Sequence, residues 1–211
     1  MFDFGTIADV LAGTIESREA DLRAEQAVYG LDSLDELKLQ AMLAEGLAQR
    51  FEVAREVHYP SSAGSKLTHR RRCDVVLSAK GNPLKLDSRP ASLFDPPEQT
   101  EAGEALWLEV KVAYQFREGG ARHGGYGSQW RNAVVADLEK MEQEPAIKHA
   151  GLVLVVFTES PEIFDKDVEL FEDVLAIKGV LAGFRQARTV KILDRMGHKC
   201  CSIVVWPTVQ R

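Results

Sequence analysis

The stretch ALWLEVKVAYQF, residues 105–116, decides how the chain folds. It is apolar, β-branched and aromatic, which predicts a strand buried within a sheet. Glu109 and Lys111 interrupt it two residues apart. Side chains alternate across a strand, so Trp107, Glu109 and Lys111 share one face, while Leu106, Leu108, Val110 and Val112 share the other. A carboxylate and an ammonium are therefore concentrated on one side of a strand whose other side is wholly apolar.

Working outward toward the N-terminus, residues 80–104 are rich in Pro, Ser and Gly and read as a long connection. Before it, CDVVLSA (residues 73–79) predicts a second strand with Asp74 near its start, and FEVAREVHYP (residues 51–60) a third, ended by Pro60. Two helices precede the strands. The first covers about residues 4–29, with Ile7, Val10, Leu11, Ile15 and Leu22 at helical spacing. The second runs to about Arg50: Ser33 and Glu36 fit a capping box, and Leu37, Leu39, Leu43, Leu47 and Phe51 supply the apolar face.

Toward the C-terminus, the glycine-rich turn REGGARHGGYG (residues 117–127) leads into a helix over residues 128–142, capped by Ser128, with Trp130, Val134, Leu138 and Met141 on one stripe. AGLVLVVFTE (residues 150–159) is almost continuously apolar, as expected of a strand covered on both faces. A helix over residues 161–179 and a closing hairpin follow. This order predicts an α/β protein with a central mixed β-sheet flanked by helices: an N-terminal helical extension over residues 1–30, one domain over residues 31–211, and a C-terminal β-hairpin.

Composition narrows the function classes. The chain has 211 residues, 45% hydrophobic and 27% charged, ordinary values for a globular protein. It has no apolar run of the roughly 18 to 20 residues a membrane span needs, and its start lacks a signal-peptide pattern, which predicts a cytoplasmic protein without a membrane partner. Cys73, Cys200 and Cys201 lack metal-site spacing and read as small core or edge residues, and His58, His149 and His198 as surface or edge residues. A net charge of -6 argues against a uniformly basic nucleic-acid-binding surface but allows a local basic cleft.

The chemistry follows from pairing the strands. A hairpin between the second strand and ALWLEVKV would bring Asp74 beside Glu109, and two adjacent carboxylates repel unless a cation lies between them. A divalent ion resolves that conflict. Two carboxylates, waters and a substrate phosphate suit Mg²⁺ or Mn²⁺, and Lys111 would orient the attacking water or offset charge on the phosphate. The competing reading of Glu109 and Lys111 is an exposed cross-strand ion pair worth about 0.2 to 1 kcal/mol.

Asp74 followed by Glu109-Val110-Lys111, with a helix before the strands and a helix and strand after them, resembles the PD-(D/E)XK nuclease superfamily, the restriction-endonuclease-like fold, over roughly residues 34–157. The resemblance implies that Asp74 and Glu109 bind Mg²⁺, that Lys111 positions water or stabilises phosphate, and that the protein cuts nucleic acid, DNA more readily than RNA. Two features depart from the family pattern: Cys73 stands where many members have Pro, and the connection between Asp74 and Glu109 is long. Many members carry a further Glu on the preceding helix, for which Glu36 is the candidate; equally, Glu36 closes the capping box, and Gln40 one turn on touches the site instead.

Arg70 and Arg72 are candidates for holding nucleic-acid phosphates, against a solvated basic loop. Arg122 and Gln129, with His123, are candidates for touching substrate, against a plain connector. Asp137 and Lys140 read as a local helical ion pair. A homodimer or larger complex fits double-strand cleavage. The alternative function is a catalytically inactive member of the same fold that binds nucleic acid or protein in a defence or repair complex.

Overall fold

The computed structural model describes residues 2–62, 71–85, 98–117 and 119–208. Its elements are α1 (Phe4–Ala24), α2 (Glu36–Leu47), β1 (Phe51–His58), β2 (Arg72–Ala79), β3 (Leu106–Tyr114), α3 (Tyr126–Glu142), β4 (His149–Thr158), α4 (Pro161–Lys178), β5 (Gln186–Lys191) and β6 (Cys200–Pro207). The six strands form one mixed sheet in the order β1-β2-β3-β4-β6-β5. Among the six strands described, β3 and β4 form the one parallel pair, from Leu106↔His149 to Tyr114↔Phe157. A parallel pair needs a crossover, and α3 supplies it.

The alternation expected of β3 is present. Leu106, Leu108 and Val110 pack with Ile7, Leu11 and Ile15 of α1 and Leu39, Leu43 and Leu47 of α2. Trp107 lies on the opposite face with Val134, Leu138 and Met141 of α3 and Phe164, Val168 and Phe171 of α4. Each fully buried Leu or Phe contributes about 1.5–3 kcal/mol, so both layers hold the sheet. α1 and α2 cross closely at Gly46, where a Cβ would come within 1.9 Å of Thr14 Oγ1.

Several local expectations are corrected. The N-cap of α2 is Asp35, whose carboxylate accepts from Lys38 N at 2.8 Å, while the Ser33 hydroxyl donates to the Gly30 carbonyl. The Ser33–Glu36 capping box is therefore not formed: Asp35 lies adjacent to the first helical residue, and its charge also suits the helix dipole. Leu37 is 65% exposed, because it stands roughly 200° from Leu39 around the helix. α3 begins at Tyr126 behind Gly125, and Ser128 donates to the Gly125 carbonyl from inside the helix instead of capping it.

His198, expected at the surface, is completely buried. Its Nε2 accepts from Phe116 N at 3.0 Å, so Nδ1 donates to Asp32 Oδ2 at 2.8 Å. The three cysteines are buried and free. Among the described residues, no helix is long and apolar enough to cross a membrane.

Candidate active site

The site begins where two strand ladders fail. β1 and β2 pair on either side of Glu56 and Asp74 but skip those two residues, and Glu56 has φ +54. A non-glycine residue in the left-handed region is uncommon and costs about 1–3 kcal/mol, so the surrounding structure must hold it there. The side-chain alternation inverts at that point. Val75 and Leu77 face α1 and α2, whereas both Cys73 and Val76 face α3 and α4.

The ladder between β2 and β3 also ends there. Its pairs are Leu77↔Leu106, Val76↔Trp107 and Val75↔Leu108. Beyond them, side chains replace backbone partners: the Cys73 thiol donates to the Leu108 carbonyl at 3.3 Å, and Asp74 Oδ2 accepts from Val110 N at 2.7 Å. Asp74 is thereby held against β3 at the peptide that joins Glu109 to Val110. β3 keeps its full pairing with β4, so the strand remains straight while its other neighbour peels away.

Glu109 is 2% exposed. Its Oε1 accepts from Tyr59 Oη at 2.6 Å and lies 2.5 Å from Lys140 Nζ. Tyr59 is itself fixed, stacked on Trp107 with ring centroids 5.4 Å apart. Burial, and after it the charge of Asp74, push the Glu109 carboxyl up to about 7 against the pull of Lys140. Two carboxylates at close quarters have that effect when their charge is not fully balanced.

Lys111 extends along the same face. Its Nζ lies 3.3 Å from Asp137 Oδ2 and 3.6 Å from Glu36 Oε1. Burial opposes its charge, but Asp137, Glu36, Asp74 and Glu109 outweigh that effect and raise its pKa. These carboxylates therefore favour the charged form of Lys111. Gln40 Nε2 donates to the Val110 carbonyl at 3.3 Å, tying α2 to the same strand.

Glu36, Lys111, Tyr114, His123 and Tyr126 line a cleft of about 260 Å³ between α2, the end of β3 and the start of α3. Lys111 is 22% exposed and Glu36 43% exposed, so the cluster opens to solvent on this side.

The structure thus gathers Asp74, Glu109, Lys111 and Glu36. Arg72 is exposed and pairs with Glu56 at 3.8 Å; Arg122 is exposed and pairs with Glu159 at 3.8 Å. Among the described residues, neither makes an ion pair with Asp74, Glu109 or Glu36. Arg70 lies outside the described residues, as does the side chain of Gln129, whose backbone is in the first turn of α3. Asp137 and Lys140 form their expected helical pair at 2.9 Å, but they also reach Lys111 and Glu109. Sequence reasoning missed that second role, and it missed Tyr59 altogether.

Among the described residues, no group of three or more His, Cys, Asp or Glu side chains is arranged to hold a metal ion. Mg²⁺ asks for less, since one or two carboxylates, several waters and a substrate phosphate complete its shell. Asp74 and Glu109 are the two carboxylates that would meet that smaller requirement: Asp74 is bonded to the peptide that joins Glu109 to Val110, and its charge acts on Glu109. No family model, no curated protein and no solved structure matches the chain.

Proposed function

We propose that the protein is a Mg²⁺-dependent nuclease that hydrolyses phosphodiester bonds of nucleic acid, with DNA the first substrate to test. One observation carries this reading: Asp74 is bonded to β3 beside Glu109, where the β2–β3 ladder ends, and Lys111 lies on the same face beside Asp137 and Glu36. The resemblance of Asp74 and Glu109-Val110-Lys111 to the PD-(D/E)XK pattern supports it.

Asp74 and Glu109 would hold Mg²⁺. The ion, when bound, supplies an acidified water and charge stabilisation at the phosphodiester. Lys111, charged and partly exposed at the cleft, offsets negative charge on the phosphate and hydrogen-bonds the incoming water. Glu36 and Asp137 keep Lys111 in place. Tyr59 orients Glu109.

One contact favours a second reading, a catalytically inactive module of the same fold that binds nucleic acid or protein: Lys140 already pairs with Glu109. Incubation of the protein with single- and double-stranded DNA and RNA, with Mg²⁺ or with EDTA, separates the two. Cleavage that needs Mg²⁺ and is lost in Asp74→Ala and Lys111→Ala supports the nuclease. Binding without cleavage, unchanged in both variants, supports the module. A cytoplasmic setting and a homodimer with one site per strand belong to the nuclease reading, and light scattering with and without duplex measures the latter.

A further inference from the structure

Lys140 makes the closest charged contact in the cluster. Its ammonium lies 2.5 Å from Glu109 Oε1 and 2.9 Å from Asp137 Oδ1, and it sits over the Tyr59 ring at 5.4 Å. A monovalent cation thus sits on a carboxylate oxygen that a divalent ion would need. Among the described residues, Glu36, Glu109 and Asp137 form their ion pairs with the ammonium groups of Lys111 and Lys140, and Asp74 is held beside them by Val110 N.

An ammonium and a metal ion cannot share one oxygen without strong repulsion, because their charges would lie only a few ångströms apart in a poorly solvated space. Lys140 has an alternative acceptor already in hand. Asp137 is three residues earlier on α3, so the two side chains rise from the same helix face. Leaving Glu109 would cost Lys140 one of its two carboxylate contacts and keep the other.

We infer that Lys140 is the resident counter-cation of Glu109 and a positioning residue for the metal: a divalent ion bound at Asp74 and Glu109 displaces the Lys140 ammonium from Glu109 onto Asp137. This inference rests on the metal-dependent reading proposed above. Tyr59, which carries no charge, stays on Glu109 and preserves its orientation during the exchange.

Calorimetric titration of the metal-free full chain with Mn²⁺ tests the exchange, using wild type, Lys140→Met and Lys140→Arg. Wild type binds Mn²⁺, Lys140→Met binds it roughly tenfold more tightly because a competing charge is gone, and Lys140→Arg stays near wild type because the charge is kept. Circular dichroism checks folding, and Lys140→Gln replaces the Met variant if that one unfolds. Equal or weaker Mn²⁺ binding by the uncharged variant, or tighter binding by Lys140→Arg as well, overturns the inference while the metal site stands. A wild-type protein that takes up no Mn²⁺ overturns the metal-dependent reading and this inference with it.

Discussion

Two buried acid–base arrangements flank β3, and they are built to opposite specifications. At the end of β3, His198 and Asp32 are enclosed: their side chains are wholly buried, both ring nitrogens of His198 have partners, and Tyr114, Phe116 and Phe157 surround the ring. In mid-strand, Glu109 and Asp74 lie near Glu36, Asp137 and two lysines, and Glu36 and Lys111 open to a cleft. The His198–Asp32 pair is sealed from solvent, with both nitrogens of His198 bonded and Asp32 Oδ1 left without a hydrogen bond. The mid-strand cluster meets the cleft through Glu36 and Lys111, while Glu109 lies buried behind them.

The comparison breaks first if the mid-strand cluster has no chemistry. Lys111→Ala is expected to lower Mg²⁺-dependent cleavage by about 10²–10³-fold, as loss of a charge-stabilising donor does, with an unchanged circular dichroism spectrum. Single-turnover cleavage rates measure it. His198→Ala should behave in the opposite way. It leaves Asp32 and the Phe116 N–H buried without their partner and is expected to cost about 3 kcal/mol in urea unfolding, while Mn²⁺ affinity is unchanged.

Glu109 sharpens the contrast through pH. Its folded pKa of about 7 stands above its ordinary value of 4.5, so the folded state keeps a proton that the unfolded state has lost between those values. Stability of the metal-free protein therefore falls as pH rises through that window. Glu109→Gln removes the ionised form. It should be more stable than wild type at pH 8 by about 3 kcal/mol, with the difference vanishing toward pH 4, by thermal unfolding in EDTA. The smallest effect is expected from Tyr59→Phe, which removes one hydrogen bond to Glu109 and should cost about 1 kcal/mol by the same method.

The fold was legible because β3 is read by period alone. Alternation sorts its residues onto two faces, and the apolar runs around it fix which elements are strands. Asp74, Glu109 and Lys111 could be placed together from strand order. Asp137 was legible in principle: it lies within the stripe defined by Trp130, Val134 and Met141, so a carboxylate there had to face the sheet. Its i,i+3 spacing to Lys140 drew the reading toward a local pair.

Tyr59 carried no such signal. It reaches Glu109 because β1 inverts at Glu56, and a positive φ at a glutamate is set by its neighbours and not by the residue type. The helix caps failed for a local reason, since Asp35 and Gly125 lie nearer the first helical residues than the hydroxyls of Ser33 and the interior Ser128. His198 was unreadable because its partner Asp32 is 166 residues away.

The central claim is that Asp74 and Glu109 form a divalent-cation site beside Lys111. Anomalous diffraction from a crystal of the protein soaked in Mn²⁺ tests it most directly. The account predicts one anomalous peak between the Asp74 and Glu109 carboxylates, with the Lys140 ammonium on Asp137. A map without that peak, in which Lys140 and Tyr59 still close over Glu109, would contradict it.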